Sequence, residues 1–436
     1  MQLYIIKNKK IIYLISLIAL FTQFYSTIIV TSTDLILPEP RDIDMILEES
    51  IMRRMSIREF THEQITDEEL ATILWAAHGY RDDGKRTIPG ISTEFSTIIY
   101  VLKEDAAYTY DPVNHSLVFY KNGDWRDIVG WQYEAPIQLG FCWDTNVANI
   151  NDGAAEIAQM CVNVYFAANA MNLGTVACGQ YPPAIEPLGI PQNHDGILVM
   201  PIGHPLYPYN FQYQPRLIPL LPKIQFSDMT LTDAINNRVA ASAFTGELTP
   251  QQESQLLWAG YGYSYYLDRS DNTIGRLDRH RSIPSAHGYY PNDLYIVKAS
   301  GIYKYYPNFY DPVYGLLRGI WFLPLVPFTV ELEKGDFRAD IAQASYNLDI
   351  ETSPFIVIPV LDDEKANRWD DLSGEQWRWL WLFDGSSTAN NILLEATAQN
   401  LNGQIVLIQD NETINSLLNL QETQHPLLII ALSAKP

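Results

Sequence analysis

The sequence predicts an α+β fold that is built twice in one chain of 436 residues. The segments ILWAAHGY (73–80) and LLWAGYGY (256–263) each end an amphipathic stretch in a Gly-Tyr turn, which is typical of a helix end. The segments GILVMPI (196–202) and PLLIIAL (426–432) are apolar and rich in β-branched residues, as buried strands are. Helices with a few long strands indicate the α+β class.

Each of the two helices has a defined start. Thr66 and Glu69 form a capping box, in which each side chain can bond the other residue's backbone N–H, and Thr249 and Gln252 repeat it. Two longer helices are predicted ahead of the apolar strands, at residues 153–173 and 385–401.

The landmarks recur in the same order in both parts of the chain, which indicates a duplicated domain. Arg54 matches Arg238, and Pro89 matches Pro284. Further matches pair EFTHEQITDEELATILWAAHGY (59–80) with AFTGELTPQQESQLLWAGYGY (243–263), FAANAMNLG (166–174) with EATAQNLNG (395–403), and residues 188–205 with residues 417–436.

These matches predict the domain organisation. We expect domain 1 at residues 38–206, a Pro- and Tyr-rich linker at 207–230, and a degenerate domain 2 at 231–436. Residues 1–31 are expected to be a signal peptide or an N-terminal membrane anchor.

The N-terminal prediction depends on charge and hydropathy. Three lysines precede an almost purely apolar run at residues 11–30, whose length lies between a secretory signal and a membrane-spanning helix. The positive-inside rule keeps the lysines cytoplasmic and exports the rest of the chain, so we expect an extracytoplasmic protein, secreted or anchored. The absence of an Ala-x-Ala cleavage site favours an anchor; a buried N-terminal helix is the alternative.

Composition excludes several classes of function. The formal charge of −22 argues against a nucleic-acid partner, because phosphate backbones need a basic surface. The three cysteines lack metal-ligand spacing, so we expect neither a zinc site nor a disulfide framework.

Candidate chemistry begins in RRMSIREF (53–60). Arg54, Ser56 and Arg58 alternate along this segment, so their side chains can converge on one side. Two guanidiniums and a hydroxyl suit a phosphate group, which accepts several hydrogen bonds. Taken alone, these residues also fit a solvated charged turn.

Several further motifs occur in order along the chain: WAAHG, RTIP, FAANAMNLGTVACGQ and LGIPQNHDGILVMPIGHP. Together they resemble the nitroreductase-like flavoprotein family, and most closely its azoline-oxidising peptide dehydrogenases. The resemblance is strong over residues 38–216 and weaker over 231–436. It implies an FMN-dependent oxidoreductase that works as a pair of domains, with FMN at their interface and hydride transfer through flavin N5.

In that family an Arg-x-Ser-x-Arg segment of one copy holds the FMN phosphate, and a Pro-Ser loop of the other copy closes over the same flavin. The first half keeps the segment as Arg54, Ser56 and Arg58, where the second half has Arg238, Ala240 and Ser242. The loop is intact only in the second half, as Pro284, Ser285, Ala286, His287 and Gly288. We therefore expect one composite FMN site in an intramolecular pseudo-dimer, and an empty second site.

The resemblance implies three further cofactor contacts. Backbone N–H groups of the loop that contains Cys178, Gly179 and Gln180 are expected beside the flavin ring, and Arg216 is expected to add to the phosphate contacts or to lie on the linker surface. A redox role is open for Cys178, although a small buried thiol fits equally. His287 either contacts the flavin or substrate, or is a satisfied loop histidine.

The substrate and the catalytic acid or base cannot be identified from the residues. Trp377, Trp379 and Trp381 form either core or a lid over an apolar substrate. Azoline dehydrogenases carry a Lys-Tyr pair where this chain has Arg368-Trp369, which argues against that specific chemistry. We expect a small-molecule or peptide substrate and a monomer; the alternatives are a non-catalytic flavin- or peptide-binding protein, and a structural surface protein.

Overall fold

In a computed structural model of the protein, the compact unit spans Asp34–Pro436. The predicted signal or anchor lies outside the described residues. Among the residues described, none of the helices combines the length and the apolar character needed to cross a membrane. The structure describes residues 33–91, 94–128, 133–179, 185–213, 220–241, 243–268, 279–308, 326–367 and 371–435.

The first half forms one antiparallel sheet with helices packed against it. Its strand order is β1-β4-β3-β2-β5-β8-β6, and β7 pairs with β8. The strands are β1 (Leu35–Ile36), β2 (Thr97–Leu102), β3 (Ala106–Asp111), β4 (Ser116–Asn122), β5 (Ile137–Asp144), β6 (Gly174–Thr175), β7 (Cys178–Gly179) and β8 (His194–Gly203), and the helices are α1 (Leu47–Arg53), α2 (Asp67–His78) and α3 (Ile150–Ala170).

The connecting region and the second half hold the remaining elements. The connection contributes β9 (Phe211–Tyr213); the second half contains β10 (Tyr263–Asp268), β11 (Arg279–Arg281), β12 (Asn292–Lys298), β13 (Gly301–Tyr306), β14 (Phe328–Lys334), β15 (Phe355–Asp362), β16 (Leu401–Val406), β17 (Gln424–Pro426) and β18 (Ile429–Ala434). Its helices are α4 (Leu231–Asn236), α5 (Pro250–Tyr261), α6 (Arg338–Gln343), α7 (Asp363–Ala366), α8 (Arg378–Ala398) and α9 (Asn411–Leu417).

The two halves share one topology, which confirms the α+β class and the duplication. The second sheet has the order β14-β13-β12-β15-β18-β16, which repeats β4-β3-β2-β5-β8-β6 strand for strand. Both predicted capping boxes are present. Thr66 Oγ1 accepts from the Glu69 N–H at 3.1 Å, and Thr249 Oγ1 accepts from the Gln252 N–H at 3.3 Å.

One predicted match between the halves is wrong by one residue. Helices α3 and α8 end at Ala170 and Ala398, and two residues later Asn172 and Asn400 both take a left-handed backbone with φ of 60° and 56°. These asparagines are therefore equivalent, and Gly174 corresponds to Asn402 rather than to Gly403. Left-handed residues are where a helix ends and the chain turns, so backbone geometry overrides the coincidental match of two glycines.

The predicted linker contains ordered structure. Strand β9 pairs with β10, and β10 pairs with β11, so that part of the linker region joins a three-stranded sheet. Farther along, Gln225 exchanges hydrogen bonds with Gln255 of α5, and the Ser227 N–H donates to Glu48 of α1 at 3.1 Å. The connection is thus attached to both halves.

The halves pack through α3 and α8, which lie against each other and are buried along most of their lengths. Asn390 Nδ2 donates to Asn163 Oδ1 at 3.0 Å, and Gln159 Nε2 donates to Ser386 Oγ at 3.0 Å. The apolar core is continuous, because the first-half cluster includes Trp258 and other residues of the second half. The fold is therefore an intramolecular pseudo-dimer.

Asn163 links the two central helices to α2, since its Nδ2 also donates to the Ala76 carbonyl at 2.8 Å. Replacing it (Asn163→Leu) leaves that carbonyl and the Asn390 amide without partners in a dry interior. We expect the free energy of unfolding to fall by about 2–4 kcal/mol, measured by urea denaturation. The exposed control Asn411→Leu should change it by less than about 0.5 kcal/mol; equal effects of the two changes would contradict this role for Asn163.

Candidate functional site

The candidate site lies where the end of α1 in the first half meets β11 and the following loop of the second half. Arg54 directly follows α1 and is 3% exposed. Its Nε donates to the Arg281 carbonyl at 2.8 Å, a contact between residues 227 positions apart. The segment expected to hold phosphate and the segment leading to the Pro-Ser loop therefore meet at one interface.

Tyr165 of α3 connects two of the predicted site segments. Its phenol oxygen lies 3.1 Å from Ser56 Oγ and accepts a hydrogen bond from the Ala177 N–H at 2.7 Å. The Arg54 guanidinium lies over its ring, 5.3 Å from the centroid. The sequence analysis missed Tyr165. The signal that could have identified it is the difference between the halves, because the second half has Leu393 at the equivalent position.

Arg58 and the Cys178 loop form the exposed side of the site. Arg58 is exposed, and its Nη1 donates to the Ser56 carbonyl at 3.3 Å. Cys178 is buried, and burial raises its pKa to about 12, although Arg58 partly opposes the shift. The thiol therefore stays protonated at neutral pH, which disfavours a nucleophilic redox role. Gly179 is exposed, whereas Gln180 and Arg216 lie outside the described residues.

His280 is a site residue that the sequence analysis missed. Its Nε2 is buried without a hydrogen-bond partner among the described residues, and so is Nη1 of Arg54. Burial, followed by the charges of Arg54 and Arg58, lowers the pKa of His280 to about 3, so the ring is neutral. The sequence did offer a signal for His280. It lies between two arginines in RHRSIP, whereas the equivalent position of the first half, in GKRTIP, is Lys85.

The Pro-Ser loop has an unusual backbone. His287, Gly288 and Tyr290 have φ of 53°, 70° and 48°, and a Cβ at Gly288 would meet nothing within 4 Å. The Tyr290 N–H donates to Ser285 Oγ at 3.0 Å, which stabilises the turn from within. Pro284 is buried, Ala286 is half-buried, and His287 and Gly288 are exposed. The loop therefore presents its tip to solvent on a fixed base.

Two buried ionisable groups support this base. The Arg281 guanidinium lies over the rings of Tyr261, Tyr263 and Tyr290 at 4.4, 4.5 and 4.6 Å. Asp384 of α8 is fully buried, and burial raises its pKa well above the usual range, because the Ser285 hydroxyl and Arg281 offset only part of the cost. Burial therefore favours the neutral, protonated form of this carboxyl at the base of the loop.

The second interfacial position repeats the hydrogen bond between an arginine and a backbone carbonyl, but not the side chains proposed to bind a ligand at the first position. Arg238 Nη2 donates to the Arg86 carbonyl at 3.2 Å, the counterpart of the Arg54 bond to Arg281. Where the first position has Ser264, the second has Arg81, whose Nη1 donates to the Arg238 carbonyl at 2.6 Å. Burial and the neighbouring Arg81 lower the pKa of Arg238 to about 9. The Arg81 guanidinium thus lies against the backbone at Arg238. Ser242, the counterpart of Arg58, is outside the described residues.

The tryptophans belong mainly to the core. Trp379 and Trp381 are 4% and 0% exposed, and Trp381 Nε1 donates to the Leu372 carbonyl at 2.8 Å. Trp381 also stacks on Tyr289 with ring centroids 6.0 Å apart. Arg368 and Trp369 lie outside the described residues. No group of three or more possible metal ligands occurs in the described part of the chain.

Comparison with known sequences identifies nitroreductases by two routes, a family model and a relative. The sequence model of the nitroreductase family matches the chain twice, at residues 51–204 and 238–433. A protein of Methanocaldococcus jannaschii named among the nitroreductases is 29% identical over 189 residues, which are 37% of this chain and 93% of that protein.

Solved structures extend the comparison to the whole chain. A structure from Anabaena variabilis, also named among the nitroreductases, covers 90% of this chain and 92% of its own with a TM-score of 0.62; at 13% identity it shows the fold. The Escherichia coli microcin synthetase complex with truncated pro-MccB17 bound matches 46% of this chain and 70% of that chain at 15% identity, with a TM-score of 0.33, which is too low to carry an argument.

His78 makes stability depend on pH. It is 3% exposed, and burial, together with Arg86, lowers its pKa to about 3 from an ordinary value near 6.5. Between these values the unfolded chain binds a proton at this histidine that the folded chain does not, so the contribution of His78 to the free energy of unfolding should fall as pH drops below about 6.5, by up to about 1.4 kcal/mol per pH unit. Urea denaturation at several pH values measures this. His78→Tyr, which copies Tyr261, should flatten the slope; an unchanged slope would contradict the assignment.

Proposed function

The chain belongs to the nitroreductase family, and from that premise we propose that it is an FMN-dependent oxidoreductase with a single composite cofactor site. The site comprises Arg54, Ser56 and Arg58 of the first half and the 284–288 loop of the second. The Cys178–Gly179 strand lies beside Arg58. The wider proposal adds Gln180 and Arg216, which remain predictions from the sequence.

The observation that carries this proposal is a pair of buried nitrogen atoms without partners, one from each half. Arg54 Nη1 and His280 Nε2 face no acceptor among the described residues. A buried polar group without a partner costs about 1–3 kcal/mol, more for a charged one, so an anion that accepts from both would remove that cost. The FMN phosphate is such an anion, and Arg58 supplies a second guanidinium at the exposed side.

The residues fit FMN in their donor chemistry. When bound, FMN supplies a ring that takes up or releases a hydride at N5. Arg54, Arg58 and a neutral His280 with its proton on Nε2 would hold the phosphate, and Ser56 would add a hydroxyl donor. The Pro-Ser loop would cover the cofactor from the other half and exclude water, since Ser285 and Tyr290 fix its base. Asp384, whose protonated form is favoured by burial, lies beside Ser285 of that loop.

The substrate class is part of the proposal. We propose a small-molecule or peptide dehydrogenase, in keeping with the resemblance to the azoline-oxidising branch. The lack of a Lys-Tyr pair at Arg368-Trp369 separates the chain from the specific azoline reaction. If the N-terminal segment exports the protein, cytosolic NAD(P)H cannot reach it, and oxygen, a quinone or a redox protein would exchange the electrons.

A non-catalytic flavin- or peptide-binding protein is the second candidate. It is favoured by the second interfacial position, where Ala240 replaces a serine and Arg81 bonds the backbone. That position shows that such a site can be lost while the fold is kept. A yellow protein whose bound flavin cycles between oxidised and reduced states supports the oxidoreductase; a yellow protein whose flavin does not cycle supports the binding protein.

We expect the full chain to bind about one FMN, measured by absorbance and by fluorescence titration. Arg58→Glu places a carboxylate where the phosphate is proposed to lie, so it should weaken FMN binding by about 100-fold or more.

Lys85→Glu is the matched control, because it makes the same charge change on a side chain that is 66% exposed at the second interfacial position. Its FMN affinity should stay within about threefold of the unmodified chain, as for other surface changes. Two FMN per chain, or equal losses in both variants, would refute the single composite site.

A further inference from the structure

The phenol of Tyr165 stands between two segments that the proposed function assigns to opposite ends of one cofactor. It contacts Ser56 in the phosphate segment at 3.1 Å and the Ala177 N–H in the loop that leads to Cys178 at 2.7 Å. Tyr165 itself is fully buried. Its surroundings therefore fix its hydrogen bonds, and water does not compete for them.

The hydrogens available on Ala177 N and on the Tyr165 phenol determine which group donates in each of these two bonds. The Ala177 N–H can only donate, so the phenol oxygen accepts there. The phenol keeps its own hydrogen at neutral pH, because burial raises the pKa of Tyr165. Ser56 Oγ is the only acceptor within reach of it among the described residues. Leaving that hydrogen unbonded in a dry site would cost about 1–3 kcal/mol, so Tyr165 donates and Ser56 accepts.

This direction decides what Ser56 can offer a ligand. A serine hydroxyl has one hydrogen, and with its oxygen already accepting from Tyr165 that hydrogen remains available for another acceptor. Ser56 is half-buried and lies between Arg54 and Arg58 in the chain. Tyr165 thus turns Ser56 into a hydrogen-bond donor beside two guanidiniums, which is the arrangement an anion requires.

The second half lacks this arrangement as a set. The bond from Asn163 to the Ala76 carbonyl is repeated by a bond from Asn391 to the Ala259 carbonyl at 3.0 Å, which fixes the alignment of α3 with α8. In that alignment Leu393 replaces Tyr165, and Ala240 replaces Ser56. The phenol and the hydroxyl are thus kept together or lost together.

We propose that Tyr165 is a positioning residue that couples the two ends of the cofactor site, by orienting the Ser56 hydroxyl toward the phosphate and by fixing the backbone at Ala177. The inference rests on the proposed function, because it assigns the two segments to FMN. A movement of the backbone at Ala177 then also shifts the Ser56 hydroxyl, because both groups are bonded to the phenol oxygen of Tyr165. Tyr165 itself does not touch the reacting atoms.

The test compares Tyr165→Phe, Ser56→Ala and the double variant in the full chain, with FMN affinity measured by fluorescence titration. Each single change should weaken FMN binding about tenfold, since each removes one oriented donor. The double variant should lose less than the product of the two single losses, because coupled residues are not additive. Tyr110→Phe removes another buried phenol, one bonded to His115 at 2.9 Å, and should leave the affinity within about twofold.

A second readout needs no cofactor. Hydrogen exchange at the Ala177 amide of the FMN-free chain should be at least about tenfold faster in Tyr165→Phe, because its acceptor is gone. Ser56→Ala should speed it less, and Tyr110→Phe should leave it unchanged. These rates separate a local coupling from a general loss of stability, which would raise exchange throughout the fold.

The outcomes distinguish the two proposals. If the unmodified chain binds no FMN, the proposed function fails and the role of Tyr165 toward it fails too. If the unmodified chain binds FMN but Tyr165→Phe binds it equally well and Ala177 exchanges at the same rate, only the coupling is overturned. Fully multiplicative losses in the double variant would overturn it as well.

Discussion

The contact between α3 and α8 is the constraint on which the rest of the structure depends. Asn390 donates to Asn163, and Gln159 donates to Ser386, so buried amide and hydroxyl groups bond across the helix interface. Such groups are tolerated only where each finds its partner, so they fix how the two helices align. That alignment in turn sets where the end of α1 meets the strand before the Pro-Ser loop.

The backbone contacts around the two interfacial positions are nearly symmetric, whereas the side chains that line the two positions differ. An arginine donates to the carbonyl of another arginine at both positions, from Arg54 to Arg281 and from Arg238 to Arg86. These bonds build the interface and are retained twice. The groups that could serve a ligand, among them Ser56, Tyr165 and His280, occur at one position only. The residues that pack the interface and the residues that could bind a ligand are therefore different members of the same repeat.

Local signals predicted local structure well. The boxes at Thr66 and Thr249 start their helices because a cap needs only residues three positions apart. The division of intact motifs between the halves predicted that Arg54 lies near the 284–288 loop, and Arg54 donates to the carbonyl of Arg281, three residues before Pro284. The alignment at Asn172 and Asn400 failed by one residue, because side-chain identity does not report a backbone angle. His280, Tyr165 and Asp384 were missed since their importance comes from burial and from neighbours distant in sequence, which no spacing rule contains.

The bond from Arg54 to Arg281 has a consequence for how the protein is made. Its two residues are 227 positions apart, so at about 5–20 residues per second the ribosome needs roughly 10–45 s to deliver the second after the first. Helix α3 ends at Ala170 and α8 ends at Ala398, so a delay of similar length separates their synthesis. In the later part of this delay the first half is complete while its α3 surface still awaits α8. The nascent chain therefore passes through a stage in which a large apolar face is exposed, and chaperones or slow translation would act at that stage.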